Sequence, residues 1–211
     1  MKTSLQYLKK EVSKQMKSFS ADDPVIQYFM SKMDPETKRI ALNQHIPEQH
    51  PYRHSLYHIW LNSLMKVLTP SVVVELGAHQ GISDCMMLAG MPDQSTLISV
   101  DIVADSWSVV PYDSRIRKIV GDDLDLGIYP LDVLELMKQA DVWFIDSNHT
   151  EEQLTKEHEL YSPLWKKGAV ILVDDVSEKG EFTLWKAWEK LPYEKMEFPD
   201  LHYTGWGVFI V

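Results

Sequence analysis

The chain is nearly devoid of cysteine, short of basic residues and free of long apolar runs, and each shortage removes a class of function. Cys85 is the single cysteine among 211 residues. Internal disulfides and cysteine-ligated zinc clusters are therefore excluded. Cys85 shares a helical pattern with Ile82, Met86 and Leu88–Ala89 and reads as a small buried hydrophobe. Lys and Arg number 21 against 31 Asp and Glu, a net charge of −10. Such a chain has no basic stripe with which to grip a phosphate backbone, so no nucleic-acid partner is expected. There is no run of about 18 apolar residues, so no membrane span is expected. The opening MKTSLQYLKKEVSKQMKSF has no unbroken apolar stretch of the kind a signal peptide needs. A soluble, cytoplasmic protein is the expectation, and a homo-oligomer is left open. No internal repeat or low-complexity tract breaks the chain.

What is present is 45% hydrophobic residues, enough for one domain with a full core plus some decoration. In residues 3–18, Leu5, Leu8, Val12, Met16 and Phe19 recur near helical spacing. Pro24, Pro35, Pro47 and Pro51 then cut the chain into short helical pieces, and a further helix is expected over about 52–68 with Leu56, Ile59, Trp60, Leu64 and Val67 on one face. From residue 71 the texture becomes strand–helix alternation. Short apolar runs at 72–76, 97–101, 116–120, 142–146 and 169–174 predict parallel strands covered by helices on both faces. Residues 194–202 and 206–211 read as an antiparallel hairpin. The predicted fold is α/β and Rossmann-like: a doubly wound, mostly parallel seven-stranded sheet with a C-terminal antiparallel hairpin and an N-terminal helical cap. Residues 1–55 are assigned to the cap, expected to lie over the ligand edge and set the substrate, and 56–211 to the α/β domain.

VVVEL at 72–76 runs straight into GAHQG, giving E-x-G-x-x-x-G over Glu75, Gly77 and Gly81. Strand, glycine turn and helix start meet at one point, where backbone N–H groups can hold a cofactor. Gly77 and Gly81 let the backbone turn and approach a ligand closely. Asp101 closes the second strand, LISVD, and is placed to accept ribose hydroxyls. A dinucleotide fold wants G-x-G-x-x-G, whereas the residues here are Ala78–His79–Gln80. The absent glycine and the charge of Glu75 suit a sulfonium and an amino group better than a diphosphate. S-adenosylmethionine is the expected cofactor, with Glu75, Gly77, Ala78, His79, Gly81 and Asp101 around it. Asp122 of Gly121–Asp122–Asp123 reads either as a contact to the adenine edge or as a turn former.

DVWFID ends at Asp146, followed by Ser147–Asn148–His149, and AVILVDD ends at Asp174–Asp175. If these strands are neighbours, three carboxylates meet at one edge. At about 4 Å and an effective dielectric near 20 each pair would repel by roughly 4 kcal/mol. A divalent cation removes that cost, and hard oxygen donors select Mg²⁺ or a relative. Asp146, Asp174 and Asp175 are the expected metal ligands, with Asp146 also facing the cofactor. The bland alternative is that Asp174–Asp175 caps a helix. Thr150 and Gln153 spell a capping box. His149, just before that helix, is expected to be neutral and to act as general base. The rival role for it is to orient Asp146 or a water.

VVVELGAHQGIS, LISVD, FIDSNHTEEQLTKEHELYSPLWKKGAVILVDDV and GWGVFIV together resemble the class I S-adenosylmethionine-dependent methyltransferases. Within them the chain looks like the metal-dependent O-methyltransferases related to macrolide-sugar and cephalosporin-pathway enzymes. The resemblance covers about residues 70–211. It implies Asp146, Asp174 and Asp175 as Mg²⁺ ligands, His149 as base, and Glu75, Gly77, Gly81 and Asp101 around the methyl donor. This chain has Asp146–Ser147–Asn148–His149 where the family often has D-G-D-H. The activity expected is methyl transfer to a hydroxyl of a small molecule, such as a sugar or natural product. The rivals are a metal-independent N- or C-methyltransferase, a non-catalytic cofactor-binding partner subunit and, more distantly, an NAD-dependent oxidoreductase. His45, His50, His54 and His58 read as a solvated face or a wall of the substrate mouth, with a zinc site as the less favoured alternative. Trp206, between Gly205 and Gly207, reads as core, with a substrate platform as the alternative.

Overall fold

The computed structural model describes residues 4–44, 56–178 and 182–211. Strands β1 (Val72–Leu76), β2 (Thr96–Asp101), β3 (Ile116–Val120), β4 (Val142–Ile145) and β5 (Val170–Asp174) run parallel. With β6 (Lys195–Glu197) and β7 (Trp206–Ile210) they form one seven-stranded sheet in the order β3-β2-β1-β4-β5-β7-β6. β7 inserts antiparallel between β5 and β6. Every residue of β1, β4 and β5 is buried, which is why these strands read as continuous apolar runs.

Alternate residues of each strand feed two cores. Val73, Leu97, Phe144, Leu172 and Val208 face one layer of helices, while Val74, Ile98, Trp143, Ile171 and Phe209 face the other. The first layer holds α1 (Leu5–Met16), α2 (Pro24–Phe29), α3 (Pro35–Ala41), α4 (Tyr57–Leu68) and α5 (Ile82–Gly90). The second holds α6 (Leu131–Met137), α7 (Glu151–Tyr161) and α8 (Trp185–Lys190). Trp206 is fully buried among Tyr57, Trp60 and Phe144, and Cys85 is buried.

Three elements differ from expectation. α4 buries more than one face: Leu61, Asn62, Ser63 and Met65 are inside, while Ile59 and Val67 are half-buried. The cause is its place in a sandwich, packed against both α1 and α5. The N-terminal helices lie mainly on this layer; among the described residues of the cap, Thr37 and Ile40 of the α3 segment line the cavity described below. The C-terminal hairpin is short on one side, since 198–205 leaves β6 and returns as turns before β7.

Candidate active site

The sheet order reverses between β1 and β4, which opens a crevice at the carboxyl ends of these strands. A cavity of about 810 Å³ occupies it. That is within the ~300–1,000 Å³ of small-molecule sites, room for a nucleoside-sized ligand and an acceptor side by side.

At one end lies the glycine loop. Gly77 and Gly81 both have positive φ, 90° and 86°. A Cβ on Gly77 would collide with the carbonyl of Asp146, so β1 and β4 can converge only with glycine there. Gly81 sits at the start of α5 with no side-chain cap, leaving that helix end open toward the cavity. Ala78, His79 and Asp101 line the cavity as well. Asp101 clasps the loop: its carboxylate accepts the His79 N–H at 2.7 Å and the Val103 N–H at 2.8 Å. Asp122 lines the cavity and also caps its own turn, accepting the Leu124 N–H at 3.0 Å.

Glu75 departs from its expected place. It is fully buried under the loop and does not line the cavity. Burial pushes its carboxyl well above the usual carboxylate range, and the charge of Asp84 on α5 adds to this. Asp84 is itself fully buried and raised, mainly by burial. Glu75 is thus a buried carboxyl beneath the loop, and desolvation disfavours the negative charge expected of it.

At the other end Asp146, His149, Asp174 and Asp175 come together. The His149 ring bridges two carboxylates, with Nε2 3.0 Å from Asp146 Oδ1 and Nδ1 2.6 Å from Asp175 Oδ2. Burial lowers its pKa, but the bonds to Asp146 and Asp175 outweigh that and push it up to about 10. The expected neutral ring is therefore corrected to an imidazolium in this state. Two carboxylates in contact overcome the field of the α7 N-terminus. Burial, with the charge of Asp174 adding to it, pushes Asp146 up to about 7. Asp175 is held well below the usual range, because its bonds from His149, His202 and Thr204 outweigh its burial. Its φ of 59° is left-handed, a strained backbone at the site's centre.

His202 was not anticipated, nor was Thr204. His202 is 5% exposed, with Nδ1 3.1 Å from Asp174 Oδ1, 3.4 Å from Asp175 Oδ1 and 2.7 Å from the Thr204 hydroxyl. The Thr204 hydroxyl also donates to Asp175 Oδ1. Residues 202–205 had been assigned to the hairpin. The signal that places them is register: β7 pairs antiparallel with β5 as Asp174↔Trp206, so the residues before Trp206 must pass the end of β5. Asp174, Asp175 and His202 each offer one donor atom within 4.8 Å of the others, a donor set that fits a divalent cation. Asp146 joins this group through the His149 ring.

Two other features escaped the sequence. Ser147 donates to Glu157, and the Gln153 side-chain amide reaches Asp123 and Glu157 at 3.1 Å. The Gln153 side chain is thus drawn into a buried acid network, and only the Thr150 half of the capping box forms: Thr150 Oγ1 accepts the Gln153 N–H at 3.2 Å. His58 lines the cavity and is 2% exposed. Burial, with the charge of His202 adding to it, lowers its pKa to about 3. His45, His50 and His54, grouped with it in the sequence, lie outside the described residues.

Comparison with known proteins agrees with this geometry. Residues 74–176 match the family described as a methyltransferase domain. The chain is 26% identical over 153 residues to a caffeoyl-CoA O-methyltransferase of Stellaria longipes, covering 69% of this chain and 59% of that protein. The match therefore spans less than two thirds of that relative. Among solved structures, the SAH-bound methyltransferase PaMTH1 of Podospora anserina superposes with a TM-score of 0.60 at 14% identity, over 100% of this chain and 97% of that one. An O-methyltransferase from Bacillus cereus in complex with SAH gives 0.56 at 15% identity, over 93% of this chain and 100% of the other. Residues 74–176 are thus similar to a methyltransferase domain, and the chain has the fold of these solved methyltransferases.

Proposed function

We propose that this chain, whose residues 74–176 match a methyltransferase domain, is an O-methyltransferase that moves a methyl group from S-adenosylmethionine to a hydroxyl of a small molecule, a sugar or natural product. The observation that carries this reading is that one cavity holds the glycine loop at one end and the His149–Asp146–Asp175 group at the other. The loop and Asp101 take the adenosine part of the donor. The acceptor hydroxyl lies by His149. The sulfur–methyl bond breaks as the oxygen–methyl bond forms, and the hydroxyl proton passes to the imidazole. The products are S-adenosylhomocysteine and the methyl ether. Most of the rate gain comes from holding donor and acceptor at attacking distance.

His149 must be neutral to accept that proton, and the carboxylates that keep it charged would also hold a cation. Asp174 and Asp175, with Asp146 beside them, are the residues that would hold Mg²⁺ or a similar ion. A bound cation supplies positive charge that offsets these carboxylates and acidifies a hydroxyl near it. Phe182, 4.6 Å from His149 between ring centroids, packs edge-on against the base.

The test is transfer of labelled methyl to a panel of neutral hydroxylated acceptors, with and without chelator. His149→Ala should lower kcat by a factor of about 10²–10⁴. Full transfer in chelator would remove the metal and leave Asp146 and Asp175 as the groups that orient His149.

A further inference from the structure

We infer that His202 is a nitrogen ligand of the cation site formed with Asp174 and Asp175, and that it tilts the site from Mg²⁺ toward a first-row transition cation such as Mn²⁺, Co²⁺ or Zn²⁺. The inference concerns the cation of the reading above, but it can be tested without methyl transfer.

Donor atoms that share one ion at about 2.1 Å sit roughly 3.0 Å apart in an octahedron and roughly 3.4 Å apart in a tetrahedron. His202 Nδ1 lies 3.1 Å from Asp174 Oδ1 and 3.4 Å from Asp175 Oδ1. The three residues are all buried, so none of these donors is engaged simply by solvent. Their geometry is fixed from outside the site. The Asp175 N–H donates to the Gly205 carbonyl at 3.0 Å, and the Ser177 N–H to the Thr204 carbonyl at 2.7 Å. These two bonds lock the 202–205 turn to the end of β5, and the Thr204 hydroxyl orients Asp175.

A nitrogen left unsatisfied by the described residues belongs to the wall of the same cavity. His58 lines the cavity on the α4 side, its ring held against Tyr57, which also contacts the His202 ring. Its Nδ1 is buried and has no hydrogen-bond partner among the described residues. A buried polar nitrogen without a partner among the described residues calls for one beyond them, such as a water or a bound oxygen. Imidazole nitrogen raises affinity for borderline 3d cations far more than for Mg²⁺, which prefers oxygen.

The experiment is titration of the chelator-stripped full chain with Co²⁺, Zn²⁺ and Mg²⁺, followed by calorimetry and the visible absorption of bound Co²⁺. The wild type should bind one Co²⁺ at least tenfold more tightly than Mg²⁺. His202→Ala should weaken Co²⁺ and Zn²⁺ at least tenfold, change Mg²⁺ less than threefold, and shift the Co²⁺ bands. A companion measurement needs no variant: ¹⁵N signals of the wild-type histidines should show one Nδ1 moving on Zn²⁺ addition. Absence of binding, no moving Nδ1 signal, or a His202→Ala variant that binds Co²⁺ as tightly as the wild type or more so overturns the inference. The last result would mark His202 as a counter-charge that competes with the cation. Donor binding and methyl transfer, measured separately, report on the proposed function whichever way the metal result falls.

Discussion

Glu75 and His149 show how burial and contact rewrite what a side chain can do. Glu75 stands one residue from a glycine that lines the cavity, yet its carboxyl is desolvated beneath the loop and raised by burial and by Asp84. Glu75→Gln should therefore change S-adenosylmethionine affinity less than about threefold by calorimetry, whereas a carboxylate gripping the donor would lose far more. The histidines carry a pH signature. In metal-free protein His149 and His202 are both raised to about 10, against about 6.5 unfolded. The folded state binds more protons between those values, so this stability is complete below about pH 6.5 and is lost as pH rises toward 10. Each proton contributes a slope of about 1.4 kcal/mol per pH unit. Thermal melts in chelator should fall from pH 7 to 9.5, and His149→Gln with His202→Gln should flatten the profile. Neither state was readable from spacing, because a pKa depends on which carboxylates touch the ring.

At the scale of elements, the strands and most helices were legible because each carries its own signal. β1, β4 and β5 announced themselves as apolar runs ending in Asp or a glycine turn, and β2 and β3 lie within a residue of expectation. α7 was legible through Thr150, whose hydroxyl caps it. That cap sits one residue past His149, and the His149 carbonyl accepts the Thr183 N–H at 3.2 Å. Thr150→Ala should cost about 1 kcal/mol and lower the melting temperature by about 2–4 °C. If His149 acts as proposed, the same change should reduce turnover, since the segment carrying it loosens. The width of the α4 interface was not legible, because a helix covered on two sides shows no clean stripe.

Across the whole molecule, the N-terminal helices and the sheet share one core. Leu8 and Val12 of α1, Phe29 of α2, Trp60 of α4 and Phe144 of β4 belong to the same cluster. Unfolding should therefore be a single transition, with near- and far-ultraviolet dichroism coincident. Leu8→Ala, at a position 1% exposed, should lower that one midpoint at a cost of about 2–5 kcal/mol. Separate melting of the N-terminal segment would instead support its treatment as an independent cap. The sheet reversal between β1 and β4 brings residues 77–80, 101, 146–149 and 174–175 to one crevice.

Periodicity, glycine spacing and acidic strand ends sufficed to specify the α/β class, the glycine loop and the carboxylates at 146, 174 and 175, because these are local properties of strand and turn. What no local pattern holds is the return of the chain at its C-terminus. Antiparallel pairing of β7 with β5 brings His202 and Thr204 onto the Asp pair. Only the folded sheet decided that the carboxylates meet two imidazoles, because contact across 26 residues or more follows from register and not from sequence neighbours.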